Sequence, residues 1–300
     1  MITLTIFICY LLINLITYIL FFRDKKKAER NEWRIPEKTL LLFSLFGGGL
    51  GAGIGMRRNH HKTKKLRFRF LIPLLAGIQV TVFVFLMVLG IYDLDPYQPN
   101  ERALSYSYED VTVKDHLFYI SYDGTGEEKA LIFYPGGKVA AKAYAPLMQE
   151  ISHSGIDCYL LKVPYNLAIL GIPEASFVSS RYNYDAYYLG GHSLGGVAAS
   201  ALLSGHEEDY EGIVLLASYA NKEISSPALL IRGSEDGVLN REAYSKALEN
   251  IRGPYEEHIL EGGNHAGFAD YGPQKGDHEA GITNEEQQSQ TAGYILEWIR

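Results

Sequence analysis

The first 92 residues alternate long apolar runs with short basic ones. Met1–Phe22 (MITLTIFICYLLINLITYILFF) is 22 residues without a charge. In helical form that is long enough to cross a hydrocarbon core of about 30 Å. Phe70–Tyr92 is a second uncharged run, of 23 residues. Between them Thr39–Met56 (TLLLFSLFGGGLGAGIGM) has 18 residues and six glycines. It is marginal as a span. Its glycines suit close helix packing or a re-entrant hairpin buried in protein. The pattern predicts an all-α transmembrane domain over 1–92, with spans at 1–22 and 70–92 and a glycine-rich third segment at 39–56. A secretory signal peptide would need a basic start, a shorter apolar run and a small-residue cleavage site. The sequence shows none of these, so the expectation is an uncleaved anchor.

After Asp93 the pattern changes. Residues 93–103 (DLDPYQPNERA) are polar with two prolines and read as a linker. Then short β-rich runs alternate with helical stretches, the signature of βα units on a mainly parallel sheet. VTVKDHLFYISY (111–122) reads as an opening hairpin-like pair. ALIFYPGG (130–137), IDCYLLKVP (156–164), DAYYLGG (185–191), EGIVLLASY (211–219), PALLIRG (227–233) and YEEHILEGG (255–263) read as further strands. Helices are expected at 143–155, closed by a glycine, at 194–205, at 241–251 and at 284–300, the last with Asn284 as its N-cap. The expected class is α/β over 104–300, a mainly parallel sheet flanked by helices, preceded by the membrane domain.

Charge sharpens the division. Residues 1–92 hold 14 Lys/Arg and 4 Asp/Glu, while 93–300 hold 14 and 31. A half that is both basic and apolar fits a membrane interface rather than a nucleic-acid binder. The loops 23–38 and 57–69 carry seven Lys/Arg each. The positive-inside rule wants both in the cytoplasm. Both can be there only if the glycine-rich segment does not cross, which puts the C-terminal half on the extracytoplasmic face. Three full spans with only the second loop inside give the same side. Three with the first loop inside give the cytoplasm. The extracytoplasmic placement is the expectation. His60 and His61 read as part of a solvated basic loop, a lipid-headgroup or metal site being the alternatives; a metal would need more convergent ligands. Cys9 and Cys158 form no ligand spacing or disulfide framework. No cofactor motif is visible.

The stretches NLITYILFFRDKKKAE, RIPEKTLL, GGGLGAGIGM and HKTKK followed by Phe68 resemble a family of small, uncharacterised bacterial membrane proteins, over about residues 10–90. The resemblance implies a membrane location and brings no activity.

The candidate chemistry lies in the acidic half. Gly191-His192-Ser193-Leu194-Gly195 matches G-x-S-x-G. The match is weak alone, but here YYLGG precedes it and LGGVAASALL follows, the strand-turn-helix context a nucleophile elbow requires. Small flanking residues let the strained turn pack against its helix and strand. A serine needs a base, and the base an orienting acid. LLIRGSEDGV puts Asp236 after a strand, with Glu235 as the neighbouring alternative. ILEGGNHAGF puts His265 after the last strand. Both fall at strand carboxyl ends, where parallel sheets present their chemistry.

FYPGGKV, KVPYNLA, GGHSLGG, RGSEDGV and GGNHAGFADYGPQKGD together resemble the α/β-hydrolases, over about 104–300. The likeness is to the compact, lidless branch that includes dienelactone-hydrolase-like proteins. Those hydrolases proper carry a cysteine nucleophile; this chain has serine. The resemblance implies Ser193 as nucleophile, His265 as general base and Asp236 as orienting acid. The oxyanion hole would take backbone N–H groups of Leu194 and of Gly137 or Lys138. Only 218–227 separate the two strands where many lipases insert a lid, so 165–184 is the one candidate cover. Its tyrosines read as buried groups with bonded hydroxyls. The expected activity is carboxylesterase-like hydrolysis of an ester, thioester or related acyl bond. Its substrate would be a small molecule, a lipid or a cell-envelope polymer, with the bilayer as a further partner and no nucleic acid. An acyltransferase with the same residues, and an inactive tethered binding module, are the alternatives.

Overall fold

The computed structural model describes residues 2–92, 95–126 and 128–300. Met1, and Asp93 and Leu94 at the start of the expected linker, lie outside the described residues. The chain forms two compact units that divide between 94 and 95.

In the N-terminal unit, α1 (Ile2–Glu29) and α4 (Leu66–Tyr92) are the two long apolar helices. They run antiparallel: Phe21 meets Phe68 at one end, with ring centroids 6.1 Å apart, and Tyr10 stacks on Phe83 toward the other at 4.3 Å. The glycine-rich segment makes α2 (Glu37–Phe43) and α3 (Gly49–Arg58). Between them Phe46 (ψ 40°) and Gly47 (φ +105°) leave helical geometry. By length and composition Leu4–Glu29, Glu37–Arg58 and Leu66–Gly90 are each long and apolar enough to cross a membrane. The middle one nevertheless turns back. Glu37 at its start and Lys62 just beyond its end are joined at 2.8 Å.

Side chains of the long helices serve the tip of this hairpin. Asn14 Nδ2 donates to Gly47 O (2.9 Å) and its Oδ1 accepts the Gly51 N–H (2.7 Å). Gln79 Nε2 donates to Ser44 O and Leu45 O, and its Oε1 accepts the Gly49 N–H. Irregular backbone at membrane depth needs such internal partners. Glycine is required where α3 meets α1, since a Cβ on Gly51 would lie 2.0 Å from Asn14 O. At the basic end the fully buried Asp24 accepts from Arg34 (2.8 Å), from His61 Nε2 (2.7 Å) and from the Ile35 N–H (3.0 Å). His61 is therefore buried in an ion-pair network rather than solvated. Asp24 reached it because both basic loops close over the same end of the unit.

The C-terminal unit opens with α5 (Glu101–Ser105), capped by Asn100. The expected linker is packed from residue 95 onward. Tyr97 bridges to Val139, the Asn100 N–H donates to Asp270 O, and Arg102 pairs with Asp270. Then follow β1 (Thr112–Asp115), β2 (Tyr119–Asp123), β3 (Lys129–Tyr134), α6 (Ala145–His153), β4 (Asp157–Leu161) and α7 (Glu174–Ser179). After these come β5 (Ala186–His192), α8 (Leu194–Leu203), β6 (Gly212–Leu216), β7 (Ala228–Gly233), α9 (Arg241–Ala247), β8 (Tyr255–Leu260) and α10 (Asn284–Ile299). The eight-stranded sheet has the order β1-β2-β4-β3-β5-β6-β7-β8. Only β2 runs against the rest. One apolar layer packs α6 and α10 against one face, another packs α7, α8 and α9 against the other. Burial on both faces explains why β3, β4 and β6 read as continuous apolar runs. It also aligns the carboxyl ends of β3, β5, β7 and β8 along one edge.

Candidate active site

Ser193 follows β5 and precedes α8, with φ +53° and ψ −122°. For a residue with a Cβ that conformation costs about 1–3 kcal/mol and must be held by its surroundings. The surroundings do so. The Ser193 N–H donates to Leu216 O, and Ser218 Oγ donates to Ser193 O at 2.6 Å. The tight crossing of strand and helix explains the flanking glycines: a Cβ on Gly191 would lie 2.4 Å from Gly195 C, and one on Gly195 would lie 2.2 Å from Tyr134 O.

Asp236, in the loop after β7, and His265, after β8, come together at that same edge. Asp236 Oδ2 accepts from His265 Nδ1 at 2.9 Å. Its Oδ1 accepts the N–H groups of Val238 (2.9 Å) and Leu239 (2.8 Å). Burial pushes this carboxyl up, but the His265 hydrogen bond and charge, with the two backbone donors, outweigh it and leave the pKa below the ordinary value. Asp236 is thus held as a carboxylate. The adjacent Glu235 instead accepts from Ser234 Oγ. His265 is 1 % exposed and its Nε2 has no hydrogen-bond partner among the described residues. Ser193 and His265 line one cavity of about 210 Å³, walled by Val197, Val238 and Leu239. Three larger clefts hold neither residue: one of about 490 Å³ beside Lys129 and Arg300, one of about 380 Å³ beside Tyr106 and Gln149, and one of about 500 Å³ beside Asp277 and His278. Size alone does not mark the site.

The backbone donors separate clearly. Leu194 and Gly137 N–H groups have no partner among the described residues. Lys138, the alternative to Gly137, donates its N–H to Asn166 O at 2.8 Å, which takes it out of use. Gly136 donates to Tyr144 Oη at 2.9 Å. That hydroxyl also reaches His192 Nδ1 at 2.7 Å. Burial, and then the neighbouring His265, hold the His192 pKa well below its usual value, so its ring is neutral.

Two further polar residues at this edge are given no role by the sequence pattern. Asp277 Oδ1 accepts from Gly237 N–H (3.0 Å) and His265 N–H (3.2 Å), and Oδ2 from Ala266 N–H (2.8 Å). It ties the acid loop to the histidine loop. Tyr144 ties the loop after β3 to the elbow. Asp277 lies in the stretch GGNHAGFADYGPQKGD and was legible as part of that motif, without a role. Other histidines have partners elsewhere: His153 pairs with Asp110, His206 with Asp209, and His258 stacks on Tyr294.

Residues 130–289 match the alpha/beta hydrolase family, and 14–68 match a family described as protein of unknown function (DUF1294). The N-terminal region is also 41% identical, over 68 residues, to the uncharacterized protein YsdA of Bacillus subtilis, covering 23% of this chain and 76% of that protein. Among solved structures, TT1662 from Thermus thermophilus aligns with a TM-score of 0.50 at 14% identity, over 63% of this chain and 98% of its own. A dienelactone hydrolase from Anabaena variabilis aligns at 0.47 and 18% identity, over 67% and 97%. At 14% identity the likeness to TT1662 speaks to the fold alone.

Proposed function

The chain belongs to the alpha/beta hydrolase family, and from that premise we propose that it is a membrane-anchored serine hydrolase that cleaves an ester, thioester or related acyl bond. The observation that carries the reading is His265, held by Asp236 on one nitrogen and bare on the other, in the cavity it shares with Ser193. His265 Nε2 takes the Ser193 proton as Oγ attacks the acyl carbon. Asp236 fixes the tautomer and stabilises the imidazolium. The N–H groups of Leu194, at the positive end of α8, and Gly137 receive the oxyanion. His265 then protonates the leaving alcohol or thiol, and water releases the acyl group from Ser193. The cavity is small and its walls apolar, which favours a short acyl group.

The N-terminal unit is compatible with membrane insertion. We read it as two spans, α1 and α4, with α2 and α3 re-entering. Its basic end then faces the cytoplasm and the hydrolase unit lies on the extracytoplasmic side. An anchored hydrolase there meets small esters, lipids and envelope polymers. Purified wild type should label with a fluorophosphonate probe and hydrolyse p-nitrophenyl acetate faster than the palmitate. Ser193→Ala and His265→Ala should do neither. Hydrolysis by Ser193→Ala at the wild-type rate would refute the assignment.

A further inference from the structure

The basic end of the N-terminal unit holds two kinds of cation. Arg34, Lys62 and Lys65 are committed to Asp24 and Glu37. Arg57 and Arg69 have no carboxylate partner among the described residues, and both border a notch of about 180 Å³ between α3 and α4. Thr63 completes the polar rim; Gly53, Ile72 and Pro73 form the wall.

We propose that this notch binds the phosphate of an anionic phospholipid, with Arg57 and Arg69 as its ligands. The chemistry is specific to that group. Guanidinium presents paired N–H donors that match phosphate oxygens two at a time, and two of them neutralise a phosphodiester with charge to spare. Thr63 supplies a further hydroxyl donor. The apolar wall selects a lipid over a soluble phosphate. Beyond the notch, α3 and α4 continue outward with exposed Leu50, Ile54 and Leu74, a surface on which an acyl chain lies. Basic pockets between apolar helices at headgroup depth are where anionic lipids bind. Gly53 keeps the space open: a Cβ there would only touch Ile72 Cγ2, at 3.9 Å, so a longer side chain would extend into the notch.

The inference rests on reading the N-terminal unit as membrane-inserted, and its test separates the two. The full chain, in detergent, is titrated with phosphatidylglycerol and with phosphatidylcholine, and retained lipid is read by native mass spectrometry. Wild type should hold phosphatidylglycerol on the order of ten-fold more tightly, as expected for charge-assisted contacts. Arg57→Gln/Arg69→Gln should lose that preference. So should Gly53→Leu, which leaves every charge in place and serves if the double variant does not fold. Lys64→Gln, in the same loop but outside the notch, should keep it. Retention of the preference by both notch variants would overturn the proposal, as would displacement of phosphatidylglycerol by millimolar inorganic phosphate. Alkaline carbonate extraction is the companion measurement. Release of wild type from membranes would remove the membrane reading and this inference with it. Membrane retention without lipid preference would remove the inference alone.

Discussion

The Tyr144 hydroxyl stands between two parts of the site, accepting the Gly136 N–H and donating to the neutral His192 Nδ1. Tyr144→Phe leaves two buried polar groups unpaired, at about 1–3 kcal/mol. It also releases the loop that carries Gly137, the proposed second oxyanion donor. Removing one oxyanion donor costs about a hundred-fold or more in kcat, and loosening one should cost about ten- to a hundred-fold with KM near wild type. Steady-state kinetics on a chromogenic ester check this; a lower melting temperature with unchanged kcat would leave Tyr144 only a packing role. No local signal marks Tyr144 in the sequence, because its two partners lie eight and 48 residues away. Ser193, Asp236 and His265 were legible for the opposite reason. Each sits in a short glycine-bearing stretch directly after a strand, so a local pattern reports its place. The choice between Gly137 and Lys138 was not legible, since it turns on Asn166, which approaches from a different loop.

At the scale of elements, the strands were readable because burial on both faces writes continuous apolar runs, and the helices because they end on glycine or begin on a cap. The α10 start shifted by one, with Thr283 as the N-cap of a reciprocal Thr283–Glu286 box. Residues 165–184 were the least readable. They fold as short turns followed by α7, and two of their tyrosines bond side chains of β2 and β4: Tyr182 with Tyr119 at 2.9 Å, and Tyr184 with Tyr159 at 2.7 Å and Asp157 at 2.6 Å. Glu174, the first residue of α7, is the exception in this segment. Its Oε2 is buried without a partner among the described residues, and burial pushes the carboxyl from 4.5 up to about 7. The fold favours the protonated form, so the stability this group contributes is fully present below pH 4.5 and lost as pH rises through about 7. Glu174→Gln keeps the shape and removes the titration. Its melting temperature should exceed that of wild type at about pH 8 and match it at about pH 4. Parallel melting curves for the two proteins across that range would show that the carboxyl is ionised without cost.

For the whole molecule, the decisive feature is that both basic loops close the same end of the N-terminal unit. Composition left the glycine-rich segment open between span and hairpin. The ion pairs of Asp24 and Glu37, which join groups of both loops, support the hairpin. Two loops with seven Lys/Arg each on one side give a strong orientation preference, since translocating either is unfavourable. On the proposed topology the far ends of α1 and α4 lie outside, and the hydrolase unit with them. Single cysteines in a Cys9→Ser background test this in intact cells with a membrane-impermeant maleimide; Cys158 is buried. Trp33, 91 % exposed, reports the first loop, Lys64 the second, and Leu117, 80 % exposed, the hydrolase unit. Trp33→Cys and Lys64→Cys should label only after lysis, and Leu117→Cys before it. Labelling of all but Leu117→Cys in intact cells would invert the orientation and keep the hairpin. Labelling of Trp33→Cys and Lys64→Cys on opposite sides would mean that α2 and α3 cross the bilayer, and would exclude the ion-paired basic end on which the arrangement depends.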